Sequence, residues 1–143
     1  MKANVHVVAK YILDEMGGMS AMKLQKLCYY SQAWHMVWDD EPLFDEEFQA
    51  WANGPVCRPL YAKHRKEYFV DSIPGVEGDL TESQKESIGL VLQSYGDKSA
   101  QWLSDQTHIE KPWIEARKGV APLERSENMI TKASMAEYYT SIN

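Results

Sequence analysis

Residues 23–39 read KLQKLCYYSQAWHMVWD, and the architecture follows from how they sit on a helix. At about 100° per residue, Leu24, Leu27, Cys28, Trp34 and Trp38 fall on one side, with Tyr29, Ala33, Met36 and Val37 on the other. The polar residues Gln25, Lys26, Ser31, Gln32 and His35 are scattered around the circumference, so no polar face remains. A helix without a polar face belongs inside a globule rather than on its surface. The stretch is too polar to cross a membrane. The expected fold class is therefore mostly α: a compact, single-domain helical bundle around a buried central helix. The polar side chains of that helix need partners from neighbouring segments.

A chain of 143 residues is long enough for one core, and residues 1–143 are read as one domain. Hydrophobic residues make up 44% of it and charged residues 25%, with five tryptophans and eight tyrosines, which excludes a disordered chain. Net charge is −6 and no basic run occurs. Such a chain is poorly suited to neutralising phosphates, so no direct nucleic-acid partner is expected, and a basic or neutral protein partner suits it better. No basic segment followed by an apolar one marks a secretory signal. Two cysteines form no disulfide framework, so both thiols are expected reduced in a cytoplasmic protein.

Before the central helix, Val5, Val8, Ala9, Ile12, Leu13 and Met16 follow helical spacing, with Asn4 as N-cap and Gly17 as stop. Ser20 caps the central helix, and Asp39-Asp40-Glu41-Pro42 ends it. Glu47–Trp51 reads as a brief strand in a short β-hairpin near residues 43–53, and Asn53-Gly54-Pro55 as its turn. Pro59 starts a helix expected to reach Tyr68. Residues 70–79 are a loop, and Thr81 to Gln84 has capping-box spacing for a helix ending at Gly96. Asp97 or Ser99 opens another helix, broken at Thr107–Glu110, and Pro112 opens the next. Gly119–Asn128 is irregular, and Ser134 is the expected cap of a last helix.

Cys28 and His35 are seven residues apart, as are Cys57 and His64, which raises zinc or thiol chemistry. Along one helix that spacing is about 10 Å of rise, too far for one ion, so packing is the preferred reading and no metal or cofactor is expected. Thr107-His108 before Pro112-Trp113 could form an acid–base centre, the basis of a small-hydrolase alternative. No nucleophile or paired carboxylate accompanies it. A structural hydrogen bond from His108 at a helix junction is preferred, with no catalytic residue assigned.

Three segments occur in order: KLQKLCYYSQAWHM, FQAWANGPVCRPLY and THIEKPWIEAR. Together they resemble the signatures of the Panacea domain, the SocA-like antitoxin family, over roughly residues 5–140. The motif positions are Leu24, Gln25, Lys26, Leu27, Tyr29, Tyr30, Gln32 and Trp34, then Trp51, Gly54, Pro55, Val56 and Tyr61. Thr107, His108, Pro112, Trp113 and Arg117 complete the third. Cys28 stands where members more often have an aliphatic residue, and Ala52-Asn53 where a basic residue and an aromatic are frequent. The resemblance implies a mostly helical bacterial or phage-associated protein that neutralises a cognate protein toxin by direct binding. A branch of the family is known for delivering a partner to a protease, the second alternative.

Aromatics beside a tight turn are core residues or an interface anchor. Trp51, Asn53, Gly54, Pro55 and Tyr61 are accordingly the candidate partner-binding set, with Asp45, Glu46 and Glu47 as an acidic rim. Leu24, Lys26, Leu27, Tyr30, Gln32, Trp34, Thr107, His108, Pro112, Trp113 and Arg117 are expected to be structural. Membrane contact is not expected.

Overall fold

The Asn4 side chain accepts hydrogen bonds from the amides of His6 at 2.9 Å and Val7 at 3.0 Å. These bonds satisfy two of the orphan donors that any helix start leaves, and they open α1 (Val5–Met16). In this computed structural model, which describes residues 3–143, more than half of the chain is helical and the sheets are small. Gly17, at φ +83°, stops α1 as expected. A short strand, β1 (Met19–Ser20), leads into α2 (Ala21–Asp39), whose first turn is capped by the Ser20 hydroxyl accepting from the Lys23 amide.

From Ala21 to Met36, only Met22, Lys23 and Trp34 escape full burial. The polar side chains of α2 find the partners that burial demands. Gln32 accepts from the Leu43 amide at 2.7 Å and donates to the Phe44 carbonyl at 2.8 Å, fastening the chain just after the helix. Gln25 treats Cys57 the same way, at 2.8 Å to its amide and 3.2 Å to its carbonyl. His35 Nδ1 lies 2.8 Å from the Ser87 hydroxyl.

The hairpin consists of β2 (Phe48–Trp51) and β3 (Gly54–Cys57), with Trp51 opposite Gly54. Its loop is therefore Ala52-Asn53, one position earlier than the expected turn, and Gly54-Pro55 belongs to the second strand. Pro55 is tolerated there because β3 lies at the sheet edge, where a missing amide costs no ladder bond. The other neighbour of β2 is β5 (Met129–Ile130), a strand that sequence reading left unassigned.

Between them, α3 (Arg58–His64) ends four residues short of the expected Tyr68. The chain turns away so that β4 (Phe69–Val70) pairs antiparallel with β1. The capping box at Thr81 and Gln84 opens α4 (Glu82–Tyr95). Ser99 caps α5 (Ala100–His108), which keeps Thr107 and His108 helical, so the break is confined to Ile109-Glu110. Pro112 sits in the first turn of α6 (Lys111–Ala116). Thr131, not Ser134, caps α7 (Lys132–Ile142): its hydroxyl accepts from the Ser134 amide at 3.1 Å. Helix α2 packs against α1, α3, α4, α5, α7 and β3. No helix among the described residues is long and apolar enough to cross a membrane.

Candidate functional site

The hairpin turn is held from beneath by side chains of three helices, each donating to a different backbone carbonyl. From α2, Lys26 Nζ donates to the Pro55 carbonyl at 3.3 Å. From α5, the Ser104 hydroxyl donates to the Asn53 carbonyl. From α6, Trp113 Nε1 donates to the Trp51 carbonyl at 2.9 Å, and just beyond that helix Arg117 donates to Ala50 at 2.8 Å. The other terminal nitrogen of Arg117, Nη2, reaches the carbonyls of Ala121 at 2.9 Å, Pro122 at 3.3 Å and Glu124 at 2.7 Å. One buried guanidinium thus ties the hairpin to the loop that follows α6, using the fork of donors that only arginine has.

Gly54 makes the closest approach possible. At φ +119° it takes a conformation that L side chains rarely adopt, and a Cβ there would overlap Lys26 Cε and lie 3.1 Å from Thr107 Oγ1. Lys26 has no exposed surface, and desolvation lowers its pKa to about 7. His108 closes the arrangement: its ring stacks on Trp113 with centroids 4.1 Å apart, and the Arg117 guanidinium lies 5.0 Å from that indole. Burial holds the His108 pKa below its ordinary value, opposed by Asp105 and the Ala52 backbone and reinforced by Lys26 and Arg117. Its Nε2 has no partner, while the ring both bonds to the Ala52 backbone and stacks on Trp113.

Above this support, the expected partner-binding residues separate into two groups. Trp51 is half-buried, its ring edge-on to Tyr61 at 5.0 Å and its Nε1 also 2.8 Å from Gln49 Oε1. Asn53 is exposed at the tip, whereas Gly54 and Pro55 are buried. Trp51 and Asn53 border a pocket of about 260 Å³, with Met22, Ala52 and Val56 on the same wall. Arg125, Ser126 and Glu127, from the loop after α6, complete its lining. Asp45, Glu46 and Glu47 lie at the far end of β2 from the turn, not around it. Glu46 accepts from the Val5 amide at 3.2 Å, at the start of α1. Glu47 pairs with Lys132 at 2.7 Å, and Lys132 also donates to the Asp45 carbonyl.

The remaining motif residues lie on α2 and α6. Leu24, Leu27, Tyr30 and Gln32 are buried, as is Pro112, and Trp34 Nε1 donates to the Tyr95 hydroxyl at 3.1 Å. Tyr30 donates to Glu110 Oε1 at 2.8 Å, and Tyr139 from α7 donates to the same oxygen at 2.7 Å. Glu110 escaped sequence reading although it stands inside the THIEKPW segment. The signal was a lone acid between two helices, where a buried carboxylate can join several elements. Met22, Ser104 and Arg125 carried no signal at all.

The cysteine–histidine pairs are separately engaged. His64 Nε2 lies 3.0 Å from Gln25 Nε2, and His35 is bonded to Ser87. Burial pushes the Cys57 thiol up to about 12 and the Cys28 thiol well above its ordinary value, which keeps both protonated and unreactive.

Among protein-family models, the one described as antitoxin SocA-like, Panacea domain, matches residues 24–114. That span is well over half of the chain; it runs from the first buried leucine of α2 through the hairpin to α6. No curated protein and no solved structure matches the chain.

Proposed function

This chain belongs to the SocA-like antitoxin family that carries the Panacea domain, and we propose that it is an antitoxin that neutralises a protein toxin by direct binding. The chain acts as a single cytoplasmic domain organised around α2, and its mechanism is steric: it covers the surface through which the toxin acts. No catalytic step is required. Beside the family, one observation carries the reading. A hairpin turn whose carbonyls at Ala50, Trp51, Asn53 and Pro55 are all taken by side-chain donors is held in one conformation before any partner arrives. Pre-organisation of this kind reduces the ordering cost of association. Trp51 and Tyr61 flank the turn, and large aromatics with a polar handle are the residues that anchor interfaces.

The test is co-expression with the product of the neighbouring gene. Restored growth together with a complex that survives purification is the expected result. Growth that stays arrested, or recovery without a complex, overturns the proposal. Recovery that depends on a cellular protease and removes the toxin assigns the chain to the adaptor class. Turnover of a small substrate that is lost in His108→Ala assigns it to the hydrolases.

A further inference from the structure

Resting on the antitoxin reading, we infer that the pocket between the hairpin turn and the loop after α6 receives one apolar side chain of the toxin, with a carboxylate of the toxin beside it meeting Arg125. The size of the pocket argues for a side chain. At about 260 Å³ it falls below the roughly 300–1,000 Å³ of sites that enclose free ligands. Its apolar lining comes from Met22, Trp51, Ala52 and Val56, and its polar groups belong to Asn53 and to Arg125, Ser126 and Glu127 of the loop. Strand addition at the turn is disfavoured, because its carbonyls are already engaged by the helices beneath.

Charge selects the neighbour of that side chain. Glu127 is neutralised by Arg58 at 2.8 Å, whereas exposed Arg125 forms no ion pair or hydrogen bond among the described residues. The pocket therefore presents one uncompensated cation on a chain whose net charge is −6. An acid on the partner gains there, and a base is repelled. Both walls are fixed in advance: Trp113 and Arg117 hold the hairpin, and Arg117 also holds the carbonyls just before Arg125.

The experiment selects random phage-displayed peptides on the full chain, with counter-selection on Ala52→Trp, which fills the pocket from the turn. Enriched peptides are expected to share an apolar residue next to Asp or Glu. They should bind Ala52→Trp and Arg125→Glu at least about tenfold more weakly, while Lys66→Glu, outside the pocket, binds as wild type. Where Ala52→Trp fails to fold, Ser126→Trp fills the pocket from the loop. Absence of enrichment, a consensus without an acid, or equal binding to the filled variants overturns the inference. A dimer that dissociates on Ala52→Trp, seen by light scattering, assigns the pocket to a second copy and also overturns it. Neutralisation separates the two readings. A wild-type chain that fails to neutralise refutes the antitoxin proposal, whereas wild-type-like neutralisation by folded Ala52→Trp refutes only the pocket.

Discussion

Lys26 keeps its amine fully buried with one carbonyl, that of Pro55, in reach and no carboxylate among the groups that shift its pKa. The nearby titratable groups are His64 on α3 and His108 on α5, both of them acceptors or cations rather than anions. Its folded pKa of about 7 lies below the unfolded value near 10.4, so the unfolded chain binds more protons between those pH values. Stability must then rise with pH through that window, by at most about 1.4 kcal/mol per unit from this one group. Lys26→Met keeps the volume and removes the charge. Its urea midpoint is expected to exceed that of wild type at pH 7, the difference shrinking by pH 9. A constant difference would show that the amine is not the titrating group. At Gly54 the prediction is steric: Gly54→Ala places a methyl against Lys26 and Thr107 at a positive φ. A loss of roughly 1–3 kcal/mol is expected, measured by chemical denaturation.

Helix α7 is attached to α2 by a buried cluster of hydroxyls around one carboxylate. The Tyr139 hydroxyl lies 2.7 Å from Glu110 and 3.2 Å from the Tyr29 hydroxyl, while Tyr30 occupies the same Glu110 oxygen. Tyr139→Phe should cost about 1–3 kcal/mol, the range for removing one partner of a buried hydrogen bond. In native-state hydrogen exchange, α7 amides should lose protection before those of α2. Equal loss in both helices would mean that α7 is not a separable unit. Elements of this kind differ in how far sequence reveals them. Helices α1, α2 and α4 announce their ends through Asn4, Ser20 and Thr81, because caps act within four residues. Strands β1, β4 and β5 are two residues each, too short for alternation to register, and their partners are distant in the chain. The turn shifted by one residue because Pro55, a breaker in most strands, sits on an edge. Trp51 and Asn53 were legible as candidate site residues from their aromatic and turn character. Arg125 was not, since it lies in a loop without periodicity that contacts distant in the chain, from Arg117 to Glu124 and from Arg58 to Glu127, bring to the pocket.

The molecule as a whole should be most stable on the alkaline side of neutrality. His6, His35, His64 and His108 all have pKa values lowered by burial, so stability falls as pH drops below about 6.5, where only the unfolded chain takes up protons. Tyr29, Tyr30 and Tyr139 have values raised by burial, so stability falls again above about pH 10, where only unfolded tyrosines ionise. Urea midpoints across this range should trace a dome with its apex above pH 7; an apex near pH 5 would contradict the burial of these groups. Recognition is expected to depend on Trp51. In protein shown to be folded, Trp51→Ala should weaken toxin binding by more than about 2 kcal/mol, read by calorimetry, and unchanged affinity would move the interface away from the hairpin. The Tyr29–Tyr139 contact joins residues 110 positions apart, and that separation has a consequence for biosynthesis. At about 5–20 residues per second, α2 leaves the ribosome roughly ten seconds before the helix that completes its surroundings. For most of that interval its tyrosines have neither Glu110 nor Tyr139 to engage, so the nascent chain offers chaperones and proteases a helix that the finished protein conceals.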